Sequence, residues 1–315
     1  LMDDTVPPRD RTRPGTRSLL AQLGRGACMG AADVVPGVSG GTLALLLGIY
    51  DRLLAAISGG SHALGRFARG DVHGGLRRLR KVDWWFLIPL LVGLVTTVVL
   101  LAGVIEGALI DHPEPMAGLF LGLVVASVVV TRREVAWSPQ RLGGAALVGI
   151  AVFAGLGYQG APITDPSAPV LLASGAVAVC AMVLPGISGS FLLLMLGMYS
   201  AVIGMVDERL VGDAVVFGVG AIIGLACFSS LLAGLLERRR NDVLAVMVGL
   251  MVGSLRVLWP WPHGVGVVSR HEGEAVGGAG LGWPDATGGL VAPTALAVAA
   301  VSVVLVVDRL ARHRN

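Results

Sequence analysis

The chain alternates between long apolar stretches and short polar segments, and six of the apolar stretches approach the length needed to cross a bilayer. An α-helix needs about 20 predominantly apolar residues to span the hydrocarbon core. The third and the fifth stretch lie near the lower limit of that length. The pattern predicts an all-α integral membrane protein with spans at approximately 84–107, 115–131, 142–158, 213–236, 243–258 and 290–307.

Two further apolar stretches, 28–57 and 168–206, are interrupted by Pro and Gly near their middles. Unsatisfied backbone groups in hydrocarbon cost several kcal/mol each, so an interrupted helix at membrane depth must be buried in protein or line a cavity. We therefore predict a re-entrant helix hairpin at each position. The alternative, in which each broken stretch crosses the membrane twice, places the loops on the same sides and is left open.

Composition agrees with a membrane protein and restricts the chemistry. The chain is 54% hydrophobic and only 14% charged, whereas soluble domains carry about 25% charged residues. Its basic residues are nearly all Arg and lie in loops, which indicates membrane topology and no nucleic-acid partner. Every His lies in a loop or tail, and Cys28, Cys180 and Cys227 show no metal-binding spacing. We expect no cofactor, no metal site and no enzymatic activity.

An internal repeat relates the two broken stretches. Residues 29–54 read MGAADVVPGVSGGTLALLLGIYDRLL, and residues 178–203 read AVCAMVLPGISGSFLLLMLGMYSAVI. At an offset of 149 the two segments share 11 identities in 26 positions, including PG-x-SG followed by G-x-Y. Chance matching of apolar residues does not explain that pattern.

A second match lies farther along each half. GLVVAS at 122–127 corresponds to GLMVGS at 249–254 at an offset of 127, which Gly93 and Gly220 also obey. The two offsets differ by 22 residues, so the first half contains additional sequence between the matches. The Gly- and Arg-rich stretch 58–83 supplies it.

Loop charges predict the topology, because Lys and Arg are enriched on the cytoplasmic side. Each half then makes three crossings, so the two halves are inverted, with both termini in the cytoplasm. The resulting organisation is a basic cytoplasmic tail (1–24), repeat 1 (25–158) with its hairpin and cytoplasmic loop 58–83, repeat 2 (168–307) with its hairpin and outer loop 259–289, and a cytoplasmic tail (308–315).

The interrupted segments carry the candidate chemistry. Gly permits close backbone approach and positive φ, and a helix that restarts after a break presents free N–H groups that can bind an anion. Transporters with inverted repeats place substrates at such junctions. The alternative is a tight hairpin turn in which the glycines serve packing and the hydroxyls bond to their own helix. The candidate phosphate-binding residues are Pro36, Gly37, Ser39, Gly40, Gly41, Thr42, Pro185, Gly186, Ser188, Gly189 and Ser190.

Three charged residues within or near apolar stretches are further candidates, since intramembrane charges usually have a function. Asp33 is a candidate proton carrier, with a helix N-cap or an ion pair with Arg25 as the alternative. Arg25 and Arg256 are candidates for pairing with a phosphate, and an interfacial anchor is the alternative for Arg256.

The two PG-x-SG motifs, together with GLMVGSLRVLWPW, resemble the bacterial "domain of unknown function 368" family, the PopT-type polyprenyl-phosphate translocases. The resemblance extends from about Gly24 to Trp261 and leaves 262–289 uncovered. It implies a flippase in the bacterial cytoplasmic (inner) membrane that returns undecaprenyl phosphate from the outer to the inner leaflet, recycling the lipid carrier of peptidoglycan synthesis in the cell envelope. The functional residues that the resemblance implies are Asp33, Pro36, Gly37, Ser39 to Thr42, Pro185, Gly186 and Ser188 to Ser190.

The second motif departs from the first at two of these positions. Met182 replaces Asp33, and Ser190 replaces Gly41, so the two hairpins are not equivalent. The residues also permit a transporter of a small soluble anion or ion built on the same hairpins. The sequence leaves open the coupling ion, the direction of net transport and whether the chain forms a homo-oligomer.

Overall fold

The computed structural model describes residues 15–33, 39–157, 163, 165–207, 209–261, 281–284 and 288–312, and within these ranges the chain forms helices and connecting turns without strands. The helices are α1 (Thr16–Asp33), α2 (Gly40–Leu46), α3 (Tyr50–Ala68), α4 (Val72–Leu79), α5 (Trp84–Asp111), α6 (Pro113–Arg132), α7 (Pro139–Gly155), α8 (Ala168–Val183), α9 (Gly189–Met195), α10 (Tyr199–Asp207), α11 (Val211–Ser254) and α12 (Gly288–Arg312).

The predicted all-α integral membrane protein is confirmed. Four of the described helices, α5, α6, α11 and α12, are long and apolar enough to cross a membrane. Helix α11 has 44 residues, which corresponds to about 66 Å, roughly twice the thickness of the hydrocarbon core. Its backbone leaves the helical conformation at Arg239 (φ −138°, ψ 45°). It therefore consists of two helices that meet in the turn predicted between 213–236 and 243–258.

Two boundaries differ from the sequence-based expectation. Helix α1 begins at Thr16 and so includes residues assigned to the N-terminal tail 1–24. Helix α3 continues to Ala68, and α4 follows it, so most of the predicted loop 58–83 is helical. Helix α7 has 17 residues and remains the shortest of the predicted spans outside α11. The apolar pattern located the helices, but it did not detect the polar continuations of α1 and α3.

Local sequence explains where several helices begin and end. Asp83 precedes α5 and accepts a hydrogen bond from the Phe86 N–H at 3.3 Å, which is the expected role of an N-cap carboxylate. Ser138 caps α7 in the same way. Helices α2 and α9 both end at a glycine with positive φ, Gly48 at 66° and Gly197 at 70°, which is the common glycine C-cap.

Close packing between helix pairs depends on glycine. Helix α1 lies against α5, where a Cβ on Gly26 would overlap the Leu90 carbonyl and a Cβ on Gly93 would overlap that of Leu23. Small residues let membrane helices approach at backbone distance, since lipid provides no hydrophobic force between helices.

Helix α8 lies against α11 through an equivalent set of contacts. A Cβ on Gly175 would overlap the carbonyl of Phe217, and a Cβ on Gly220 would overlap that of Leu172. These four residues correspond to Gly26, Leu90, Gly93 and Leu23 at the sequence offsets of 149 and 127. The matched positions of the two halves therefore make the same helix–helix contacts.

The third span of each half packs on the second span of the other half. Helix α7 therefore packs on the part of α11 that follows Arg239, and α12 packs on α6. Gly122 of α6 lies against the Ala297 backbone of α12, and Gly249 of α11 lies against the Ala145 backbone of α7. Gly122 and Gly249 are again separated by the offset of 127. The halves are therefore interlocked and do not form separate domains.

Segments assigned to the cytoplasmic side by their charge contact one another. Arg240 pairs with Asp51 at 2.5 Å and with Glu134 at 3.6 Å, and Arg52 pairs with Asp83 at 2.6 Å. These pairs are substantially exposed, so each contributes little to stability. The rings of Trp259, Trp261 and Trp283, which all belong to the predicted outer loop 259–289, form a cluster.

The Gly93→Ala substitution tests the packing of α1 on α5. The added methyl group meets the Leu23 backbone, which cannot move without displacing α1, and we expect a loss of about 1–3 kcal/mol in stability. Gly103→Ala on the same helix is the matched control, because no atom lies within 4 Å of the added Cβ. Thermal unfolding of both variants in detergent measures the difference, and equal midpoints would contradict this packing.

Candidate functional site

The two interrupted segments meet, and side chains from the first hold the backbone of the second. The Ser39 hydroxyl donates to the Met182 carbonyl at 3.0 Å. The Gly186 N–H donates to Thr42 Oγ1 at 2.9 Å, and the Tyr50 hydroxyl donates to the Val183 carbonyl at 2.9 Å. Three hydrogen bonds thus join the hairpin of repeat 1 and the start of α3 to the break that follows α8.

The break after α8 exposes backbone groups that its own helix cannot satisfy. The last four carbonyls of a helix lack intrahelical donors, and α8 ends at Val183 with Leu184 in an extended conformation (ψ 129°). The Met182 and Val183 carbonyls instead accept from Ser39 and Tyr50. Gly186 has φ 91°, which a residue with a side chain rarely adopts.

The start of α2 is capped by two side chains. Ser39 Oγ accepts from the Gly41 N–H at 3.1 Å, and Asp33 Oδ1 accepts from the Gly40 N–H at 2.5 Å. Asp33 therefore adopts the N-cap-like alternative considered for it. Among the described residues it has no ion pair with Arg25, whose guanidinium donates to Gln22 at 3.2 Å.

Gly40, Gly41 and Gly189 occupy positions with no room for a side chain. A Cβ on Gly40 would lie 2.5 Å from an oxygen of Asp33, and one on Gly41 would lie 2.9 Å from the Val183 carbonyl oxygen. A Cβ on Gly189 would lie 2.6 Å from the carbonyl oxygen of Ala178. This geometry agrees with the expectation that glycine at these positions permits close approach.

A cavity of about 270 Å³ adjoins the junction of the two breaks. Its wall is mostly apolar and comes from α1, α2, α3 and α8, with Met29, Leu54 and Val179 among the lining residues. Asp33 and the Tyr50 ring also line it. Met182 forms part of the wall and is 49% exposed.

The other predicted site residues are distributed unevenly around this junction. Ser188 is buried and directly precedes α9, and Pro185 is buried in the break. Arg256 lies elsewhere, with its guanidinium 5.0 Å above the ring of Phe153, and it does not line the cavity. Pro36, Gly37 and the Ser190 side chain lie outside the described part of the structure.

Two features of the site were not assigned from the sequence. Tyr50 was recognised as an identity in the repeat but not as a site residue, although the shared G-x-Y was the available signal. The backbone carbonyls of Met182 and Val183 have no sequence signal, because every residue carries a carbonyl. Helices α2 and α9 have only seven residues each. The effect of a helix dipole is confined to the first turn, so any anion would be held by the individual N–H groups at the start of each helix.

Comparison with known proteins assigns the family. Residues 29–276 match the model of a family described as undecaprenyl phosphate translocase-like. A Vibrio cholerae protein named polyprenyl-phosphate transporter is 39% identical over 263 residues, covering 83% of this chain and 84% of the relative. A Staphylococcus aureus protein of the same name is 29% identical over 254 residues, covering 75% and 84%. No solved structure matches the chain.

The family model covers both interrupted segments and most of the helices that pack around them. This result confirms the resemblance inferred from the PG-x-SG motifs. The chain belongs to the undecaprenyl phosphate translocase-like family of integral membrane proteins.

Proposed function

We propose that this protein is a flippase that carries undecaprenyl phosphate from the outer to the inner leaflet of the bacterial cytoplasmic membrane. The names of its relatives support a polyprenyl phosphate substrate. The observation that carries the proposal is the direct hydrogen bonding of two intramembrane backbone breaks beside an apolar cavity that contains a carboxylate. A lipid with a charged phosphate and a hydrocarbon tail needs both kinds of environment.

The phosphate binds where the two breaks meet. The Ser39 and Thr42 hydroxyls and the Gly186 N–H meet there, and charge-assisted hydrogen bonds to phosphate are stronger than the neutral bonds they replace. The proposed headgroup contacts are the Ser39, Thr42, Ser188 and Ser190 hydroxyls with the N–H groups of Gly40, Gly41 and Gly189, while Pro36, Gly37, Pro185 and Gly186 shape the breaks and Arg25 and Arg256 attract the anion from outside the junction.

Binding requires an exchange of hydrogen bonds, because the described donors are already in use. The Gly40 N–H donates to Asp33, and the Gly41 N–H donates to Ser39. A neutral hydrogen bond contributes only about 0.5–1.5 kcal/mol net, so a phosphate can replace several of them. In the described arrangement the two hairpins satisfy each other's hydrogen-bonding groups.

Asp33 couples this exchange to a proton. A phosphate that takes over the Gly40 N–H comes to lie beside the carboxyl group of Asp33. An ionised carboxylate repels the phosphate, whereas a protonated carboxyl group does not and can donate to it. Met182 occupies the corresponding position in repeat 2, so only the first hairpin contributes this group.

The cavity accommodates the part of the prenyl chain next to the headgroup. An engineered protein cavity of about 150 Å³ holds benzene, with six carbons, so about 270 Å³ is sufficient for roughly two isoprene units. The mostly apolar wall favours a lipid over the small soluble anion that the sequence also permitted.

The two halves are inverted repeats that alternate the exposure of the site. The equivalent contacts of α1 with α5 and of α8 with α11 support a two-fold relation between them. With basic loops inside, both termini lie in the cytoplasm and the hairpins enter from opposite leaflets. Rocking of one half against the other would present the headgroup first to one leaflet and then to the other.

We assign no catalytic step to the site. Asp33 and Tyr50 are the only ionisable residues that line the described cavity, and neither has the adjacent basic cluster that phosphate-ester chemistry needs. A lipid-phosphate enzyme would release inorganic phosphate from labelled substrate, so the transport assay below includes that measurement.

The Ser39→Ala/Ser188→Ala double substitution is expected to abolish flipping of polyprenyl phosphate in liposomes. It removes one hydroxyl from each hairpin at equivalent positions of the repeat. Flipping is measured with a fluorescent short-chain polyprenyl phosphate added to one leaflet, and inorganic phosphate uptake in the same vesicles tests the soluble-anion alternative.

The matched control is Ser127→Ala/Ser254→Ala, which changes two other buried serines at repeat-equivalent positions. Their hydroxyls donate within their own segments, to Leu123 and to Met251. We expect the control to retain at least half of wild-type transport. A well-folded Ser39/Ser188 variant that flips lipid at the control's rate would refute the headgroup site.

The Asp33→Asn substitution separates proton coupling from substrate binding. Asn keeps the oxygen that accepts from the Gly40 N–H but cannot change its charge. We expect lipid to bind while transport loses its dependence on an imposed proton gradient. Unchanged dependence on that gradient in this variant would exclude Asp33 as the proton carrier.

A further inference from the structure

The stretch 58–83, which is additional sequence in the first half, contributes to a helical hairpin that has no role in the proposed transport mechanism. The end of α3 and all of α4 pack together, with the ring of Phe67 against Gly75. We call residues 64–82 the basic hairpin. The offsets of the repeat show that the second half lacks an equivalent segment.

The hairpin carries an excess of positive charge. Asp71 is its only carboxylate; it caps α4 by accepting from the Gly74 N–H at 2.8 Å and pairs with Arg66 at 2.8 Å. The Gly74 hydrogen bond and the nearby Arg66 hold the pKa of Asp71 below its ordinary value. Five exposed cations remain, and none has an ion pair within the described ranges: Arg69, Arg77, Arg78, Arg80 and Lys81.

Apolar side chains are exposed beside these cations. Leu64 is 47% exposed, Val72 is 56% exposed and Leu76 is 44% exposed. Val72 and Leu76 lie one turn apart on the same side of α4. Exposed apolar residues next to Lys and Arg on a short helix are typical of a segment that lies in the membrane interface.

The position of α4 relative to α5 supports an interfacial location. The Trp84 indole donates to the Leu79 carbonyl at 2.8 Å, which fixes the end of α4 to the first residue of a membrane span. An ion pair between Arg52 and Asp83 at 2.6 Å joins the starts of α3 and α5. Trp residues at the end of a span mark the headgroup region.

We propose that the basic hairpin binds the headgroups of anionic phospholipids in the leaflet that borders the start of α5. The five exposed cations contact lipid phosphates, and Val72 and Leu76 insert among the upper parts of the acyl chains. Anionic lipids attract clusters of this kind at the membrane surface. The site is separate from the junction of the two breaks, so it does not depend on which lipid the protein transports.

Lipid binding to the purified full-length chain tests the proposal. Phosphatidylglycerol or phosphatidylcholine is titrated into the detergent-solubilised protein, and retained lipid is counted by native mass spectrometry. We expect phosphatidylglycerol to bind at least tenfold more tightly, and its affinity to fall when the ionic strength is raised, because salt screens exposed charges.

Substitutions locate the binding surface. Arg77→Gln/Arg78→Gln/Arg80→Gln/Lys81→Gln is expected to lower phosphatidylglycerol affinity at least tenfold, whereas replacing the three Arg by Lys keeps it within about threefold, since the interaction depends on charge. The control Arg132→Gln/Arg238→Gln/Arg239→Gln removes exposed cations from turns outside the hairpin and should change the affinity less than threefold.

Two results would overturn the proposal. One is equal affinity of the wild-type chain for the two lipids, a measurement that requires no variant. The other is unchanged phosphatidylglycerol affinity in the four-Gln chain with wild-type helix content by circular dichroism. Either result would exclude the basic hairpin as a binding site for anionic headgroups.

Discussion

The structure depends on the requirement that backbone polar groups inside a bilayer find partners within the protein. A continuous helix satisfies this requirement by itself, but this chain interrupts two helices at positions between long apolar segments. Ser39, Thr42 and Tyr50 supply hydrogen bonds to the second break, and Asp33 supplies one to the start of α2. The two breaks are therefore stable together, and separating them would leave several polar groups unpaired in hydrocarbon.

Glycine determines how closely the elements around the breaks can approach. In a membrane, helix association relies on van der Waals contact and backbone proximity. Gly26 and Gly93 provide this proximity in the first half, and Gly175 and Gly220 provide it at matching positions in the second. The junction is thus flanked by two equivalent, closely packed pairs of helices, while the contacts across it are a few hydrogen bonds.

The differences between the halves are as informative as their similarity. A symmetric pair of hairpins would offer the same environment from either leaflet. Here the first half contains Asp33 where the second has Met182, and it alone contains the basic hairpin. Both features lie on the predicted cytoplasmic side of the repeat. The proposed proton carrier and the proposed lipid-binding surface therefore belong to the same half.

The sequence by itself determined the elements and which positions of the two halves correspond. Apolar length gave the spans, Pro and Gly gave the positions of the breaks, and two offsets aligned the two halves. These properties depend on local composition or on periodicity, so they can be recognised directly in the sequence. The hydrophobic pattern missed the polar start of α1 and the helical nature of 58–83, because amphipathic and basic helices lack a long apolar run.

Only the tertiary structure decided which groups meet at the junction. The partners of Ser39 and Tyr50 are carbonyls of Met182 and Val183, more than 130 residues away, and a carbonyl has no residue-specific signature. The separation of Arg256 from the cavity and the hydrogen bond of Asp33 to Gly40 likewise follow from helix packing. Side-chain identity names the candidates for a site, but the site itself is formed by backbone atoms that long-range packing brings together.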